Sequence, residues 1–109
     1  MKLIGITQRV DFISIRNEYR DGLDQRWWTF NEALNSILLP LPNIKKSEAI
    51  RFLSSLNLSA IFLSGGNTIS KDNPNAKDAS KERDGFETIA IDWAILNKIP
   101  LLGICRGAQ

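Results

Sequence analysis

The residues with the most chemical content close the chain: Gly103-Ile104-Cys105-Arg106-Gly107-Ala108-Gln109 reads G-x-C-x-G, and the apolar run Ile99-Pro100-Leu101-Leu102 leads into it. A cysteine between two glycines directly after a strand is the thiol form of the nucleophile elbow, a tight strand-to-helix turn that presents a side chain at the top of a sheet. Glycine suits positions 103 and 107 because such a turn leaves little room for a Cβ and asks for unusual dihedrals. Amides opening a helix after the turn favour a thiolate. Outside such a context a free cysteine is most often a small buried hydrophobe; the elbow spacing makes Cys105 a candidate nucleophile. The backbone N–H of Arg106, the next residue, would be one oxyanion donor. A second must come from another strand end, and Gly65-Gly66 is the candidate, since paired glycines let an amide approach a ligand closely. Taken alone, that pair reads more readily as an ordinary turn; the elbow tips it toward the functional reading. The chain contains no histidine, the usual partner of a cysteine nucleophile.

These residues must be positioned by elements whose periodicity is visible. Leu3-Ile4-Gly5-Ile6 is a short apolar run, the pattern of a strand covered on both faces. Gln8 to Leu23 is polar and reads as a loop. Asp24 is placed to cap a helix reaching about Ser36, with Trp27, Phe30, Leu34 and Ile37 at helical spacing. Ile37 to Pro42 is a second strand, whose two prolines point to a sheet edge or an early strand end. Ser47 should cap a short helix with Ile50, Leu53 and Leu56 inward, followed by a third strand, Ala60-Ile61-Phe62-Leu63. A long polar loop from Thr68 to Lys81 precedes a helix that Asp84-Gly85-Phe86-Glu87 would open, with Phe86, Ile89, Ala90, Trp93 and Ala94 as its apolar stripe to about Asn97. Leu101 to Ile104 is the fourth strand. Strands alternating with amphipathic helices imply an α/β fold with a parallel sheet, and such sheets bind ligands outside the carboxyl ends of their strands. Gln8-Arg9, Gly65-Gly66-Asn67 and Cys105 all fall at those ends.

Composition narrows the class further. With 109 residues, 43% hydrophobic and 24% charged, the chain is one globular domain or part of one. A net charge of +2 without a Lys/Arg-rich block argues against nucleic acid as partner. One cysteine makes neither a disulfide framework nor a metal site. No signal-like or bilayer-length apolar segment is visible, so no membrane partner is expected and a reducing cytoplasm is the expected compartment. The first strand is not followed by G-x-G-x-x-G or a P-loop, which argues against a dinucleotide-binding domain. Oligomeric state is not legible.

The segment Leu101 to Gln109 resembles the nucleophile segment of class I glutamine amidotransferase-like proteins, and within them the γ-glutamyl hydrolase, or peptidase C26-like, branch. Leu63-Ser64-Gly65-Gly66-Asn67 resembles the oxyanion strand of that branch, and Glu82-Arg83-Asp84-Gly85-Phe86-Glu87 the helix start before its elbow. Arg20-Asp21-Gly22-Leu23-Asp24-Gln25-Arg26-Trp27 resembles a segment of members associated with surface-carbohydrate biosynthesis. The resemblance implies a flavodoxin-like doubly wound parallel sheet, with residues 1–109 as the N-terminal part of a single domain. It implies that Cys105 attacks a γ-glutamyl carbonyl to form a thioester, that water releases glutamate, and that Gly66 and Arg106 hold the oxyanion. Gln109 matches a residue that holds the glutamyl group; Gly65, Asn67, Arg83, Glu87 and Arg9 would line the substrate pocket. For Arg83 and Glu87 a helix-start ion pair is an equal alternative. No cofactor and no metal is implied. The family's general base is a histidine in a later H-x-E pattern, absent from these 109 residues, so the chain alone is expected to present the nucleophile without completing the cycle.

The leaving group should be read by the loops beyond the strand ends. Arg9, Arg16, Arg20 and Arg26 suit phosphate recognition, against the plainer alternative of a solvated basic loop with Arg26 paired to Asp21 or Asp24. With the resemblance, this implies a nucleotide-linked substrate: hydrolysis of a γ-glutamyl-CDP-amidate to glutamate and cytidine diphosphoramidate, for capsular polysaccharide modification. A glutaminase subunit supplying ammonia to a synthetase and a non-catalytic amidotransferase-like binding module are the rival readings.

Overall fold

The computed structural model describes residues 2–64 and 80–103. Its centre is a four-stranded parallel sheet built from β1 (Lys2–Thr7), β4 (Ser36–Leu41), β5 (Ala60–Leu63) and β6 (Leu101–Gly103), in the spatial order β4-β1-β5-β6. β1 lies inside, and Ile4, Gly5, Ile6 and Thr7 are all buried, as a strand covered on both faces requires. β4 is at the edge, where Pro40, opposite Ile6, costs the ladder least.

Side chains alternate between two cores, as the period of a strand dictates. On one face Leu41, Ile61 and Leu63 pack with Ala49, Leu53, Leu58, Phe86, Ala90 and Ala94 from α2 (Lys46–Ser54), α3 (Lys81–Leu96) and their flanks. On the other, Ile4, Ile6, Leu38 and Phe62 pack beneath Leu23 and Trp27. Gly5 lies directly against the side chain of Leu41, a member of the first core. A Cβ there would stand 2.8 Å from Leu41 Cδ1, and Leu41 is fully buried. Gly5→Ala is therefore expected to destabilise the fold by about 1–3 kcal/mol through overpacking. Urea denaturation checks this; an unchanged midpoint would mean that Leu41 can withdraw.

Several local expectations are corrected. Gln8 to Leu23 is not a loop but an antiparallel hairpin of β2 (Arg9–Ile13) and β3 (Glu18–Gly22), closed by a 3-10 turn at Ser14–Arg16 and by Asn17 at φ 51°. Its polarity concealed it: the ribbon is largely exposed, and its ladder comes from the backbone, helped by the Phe12–Tyr19 cross-strand pair with ring centroids 4.9 Å apart. Asp24 does act as a cap, accepting from Arg26 N, but for a 3-10 turn at Gln25–Trp28. The following α1 (Thr29–Ala33) is one short piece, and Ser36 already belongs to β4. Phe30, Leu34 and Ile37 stay half-exposed, because they do not share one continuous helix.

α2 begins one residue before Ser47, with Lys45 as N-cap and no side-chain cap, and Ile50 faces solvent while Ala49 and Leu53 are buried. α3 begins at Lys81, earlier than the Asp84 expectation, because Ser80 Oγ accepts from Arg83 N. Ile104 and the Thr68 to Lys81 loop up to residue 79 lie outside the described residues. No helix among the described residues is long and apolar enough to cross a membrane.

Candidate active site

The carboxyl ends of β1 and β5 each finish an apolar run with a hydroxyl: Thr7 and Ser64, both buried. Ser64 N donates to Thr7 Oγ1 at 3.0 Å, and Ser64 Oγ donates to Thr7 O at 2.6 Å. The two strand ends are thus tied together by side chains just where the backbone ladder stops.

Arg83, on the first turn of α3, is fully buried and reaches the same point. Its Nη2 donates to Ser64 O at 2.6 Å and to Ser64 Oγ at 3.1 Å, and its Nε donates to Glu87 Oε2 at 3.3 Å. Glu87 is one turn further along α3 and also buried. Burial pulls the Arg83 guanidinium below its ordinary range; the Glu87 carboxylate opposes this, and the charge of Arg9 adds to the downward pull. An arginine stays charged through such a shift, so the network is a buried cation with a buried anion.

The helix-start alternative for Arg83 and Glu87 is therefore realised as an ion pair, and it does more than brace a helix. It grips Ser64, the residue immediately before Gly65-Gly66. Thr7 and Ser64 were not singled out by sequence; the available signal was a polar residue ending each apolar strand run.

Arg9 begins β2 beside this network but spends its Nε on Asp11 Oδ1 at 2.9 Å. Arg20 and Arg26 do likewise, with Glu18 at 2.6 Å and Asp24 at 2.7 Å. The Arg26 guanidinium, joined by its backbone N–H, holds the exposed Asp24 carboxyl down at about 2. The four arginines expected to read phosphate are thus not gathered on one pocket: three serve acids two residues away, and Arg16 is exposed near the hairpin tip.

Gly65, Gly66, Asn67, Cys105, Arg106 and Gln109 lie outside the described residues. The strands that lead to them are neighbours, with Leu63 paired to Gly103 in parallel register. Gly65 follows Leu63 by the same number of residues as Cys105 follows Gly103.

A doubly wound parallel sheet with an elbow motif after its fourth strand defines a glutamine amidotransferase-like class, and the chain belongs to the peptidase C26 family, whose profile matches residues 2–109. Among characterised proteins it is similar to the γ-glutamyl-CDP-amidate hydrolase of Campylobacter jejuni, with 44% identity over 108 residues, 97% of this chain. It is also similar to a candidate glutamine amidotransferase of Schizosaccharomyces pombe, with 42% identity over 60 residues, 49% of this chain. The chain spans 52% of the Campylobacter protein and 24% of the yeast one.

Proposed function

We propose that this chain is the nucleophile-bearing part of a γ-glutamyl hydrolase that acts on a γ-glutamyl-CDP-amidate. The observation that supports the reading is the parallel register of Leu63 with Gly103: the strands that precede Gly65-Gly66 and Cys105 in the chain are neighbours. In this mechanism the Cys105 thiolate attacks the γ-carbonyl carbon, and the backbone N–H groups of Gly66 and Arg106 stabilise the oxyanion. The C–N bond breaks, the leaving nitrogen takes a proton, and cytidine diphosphoramidate departs. Water then attacks the thioester carbon, releasing glutamate and restoring the thiol. Gln109, Asn67 and Gly65 would hold the glutamyl group.

Arg83 and Glu87, buried and bonded to each other, act in this reading by fixing Ser64 and hence the start of the Gly65-Gly66 segment. That is a positioning role, in place of direct contact with the glutamyl group. These 109 residues contain no histidine, so the proton acceptor comes from another part of the whole protein. A cytoplasmic enzyme of capsular polysaccharide modification is the setting that fits a free thiol and a nucleotide-linked substrate.

The full-length protein is expected to hydrolyse a γ-glutamyl nucleotide amidate with a higher kcat/KM than γ-glutamyl-γ-aminobutyrate or glutamine, and without a synthetase partner. Equal or reversed values would remove the nucleotide substrate. Hydrolysis that needs a synthetase would move the assignment to a glutaminase subunit.

A further inference from the structure

Thr7 closes β1 with a fully buried side chain. By strand alternation it shares a face with Leu3 and Gly5, the face that packs on the core of α2 and α3. A β-branched residue suits a strand covered on both faces, and valine would meet that need. Valine would also avoid the cost of burying a hydroxyl. The fold thus accounts for the shape of Thr7, and its oxygen is explained by what that oxygen holds.

It holds the residue that follows β5. The pairing of β1 with β5 runs from Ile4–Ala60 through Gly5–Ile61 to Ile6–Phe62. Beyond that pair Gln8 bonds to the opposite neighbour, its Nε2 donating to Leu41 O of β4 at 2.9 Å. The N–H of buried Ser64 donates to Thr7 Oγ1 at 3.0 Å, a side-chain acceptor that takes over where the ladder ends. Ser64 Oγ closes the link by donating to Thr7 O at 2.6 Å. At the other end of the residue, Arg83 Nη2 donates to Ser64 O at 2.6 Å. Peptide groups are planar and stiff, so Thr7 fixes the one that enters Ser64 and Arg83 the one that leaves it.

We propose that Thr7 is a positioning residue for γ-glutamyl hydrolysis: its hydroxyl, by holding the Ser64 N–H, sets the direction in which the chain leaves β5 for Gly65-Gly66. The inference rests on the hydrolase reading given above and deepens it. Arg83 and Glu87 hold Ser64 from the helix side; Thr7 holds it from the sheet, on a strand with no proposed substrate contact. An oxyanion donor acts when its N–H lies about 2.7–3.1 Å from the oxygen that gains charge. A rotation at Ser64 that shifts the donor by a few tenths of an ångström is therefore felt more in the transition state than in the bound substrate. Loss of Thr7 Oγ1 falls on kcat and leaves KM nearly unchanged.

The test is steady-state hydrolysis of a γ-glutamyl anilide by the full-length protein, beside amide hydrogen exchange at Ser64. Thr7→Val keeps the shape and removes the acceptor. It is expected to speed exchange of the Ser64 amide by about tenfold or more and to lower kcat by about ten- to a hundredfold, with KM within about twofold. Thr7→Ser keeps the oxygen and loses a methyl, and is expected to restore slow exchange and most of kcat although it packs less well. A purely structural role would follow packing and make Thr7→Ser the worse of the two. If Thr7→Val does not fold, Thr7→Ala against Thr7→Ser gives the same comparison, oxygen absent or present on side chains otherwise alike. An unchanged kcat without the oxygen, or an equal loss with and without it, would overturn the proposal. Hydrolysis by the unsubstituted protein with a kcat independent of Thr7 removes the positioning role alone. No hydrolysis of any γ-glutamyl compound removes the hydrolase reading, and this role with it.

Discussion

Cys105→Ala in the full-length protein is expected to lower γ-glutamyl hydrolysis by about 10⁴-fold or more, to a level set by binding and the oxyanion donors alone. The size of the effect follows from the covalent step. Without the sulfur no thioester forms, and water would have to attack an unactivated amide directly. Cys105→Ser should be nearly as inactive, because a hydroxyl is far less ionised than a thiol at neutral pH. Substrate binding should survive in both variants, so the loss falls on kcat. Mass spectrometry adds an independent readout: the unsubstituted protein, quenched during turnover, should carry a γ-glutamyl adduct on Cys105. Substantial hydrolysis by Cys105→Ala would take the residue out of the mechanism.

Arg83→Met is expected to destabilise the fold by about 3–5 kcal/mol, the cost of breaking a buried pair and leaving one charge behind. Arg83 is fully buried, the Glu87 side chain is 9% exposed, and the guanidinium also serves Ser64 O at 2.6 Å. Removing it leaves a carboxylate in the core and loosens a carbonyl at the end of β5. Adding Glu87→Gln should recover part of the loss, since the double variant no longer carries the carboxylate that the guanidinium served; the two substitutions should be clearly non-additive in urea denaturation. Arg83→Lys keeps the charge but lacks the planar fork that reaches both Glu87 and Ser64, so it should fall between the two. A cost under about 1 kcal/mol for Arg83→Met would show that Glu87 finds solvent or another donor. Where the Arg83 variants fold, kcat should fall more than KM rises, because Ser64 leads directly into the proposed oxyanion segment.

Much of the architecture was legible because it is written in local periodicity. The apolar runs at Leu3 to Ile6, Ala60 to Leu63 and Leu101 to Leu102 are strands, and β4, which contains Pro40 and ends before Pro42, lies at the edge of the sheet. The hairpin was not legible, since β2 and β3 bury only Val10, and the short apolar face of Val10, Phe12 and Tyr19 stands among charged neighbours. The start of α3 was missed for a different reason. Asp84 and Glu87 look like a capping pair, yet Ser80 wins because its hydroxyl meets the N–H of Arg83, which is itself held by the core.

By itself the sequence determined the order of the four strands of the parallel sheet and of the helices between them, the α/β class, the elbow motif around Cys105 and membership of the peptidase C26 family. Each of these rests on residues close together in the chain or on a pattern repeated along it. Only the tertiary structure decided that Thr7, Ser64, Arg83 and Glu87 form one buried network and that the hairpin arginines are matched within their own turns. The physical reason is that desolvation and charge pairing depend on which groups the sheet order brings within a few ångströms. Thr7 and Ser64 are 57 positions apart in the chain and meet because β1 and β5 lie side by side.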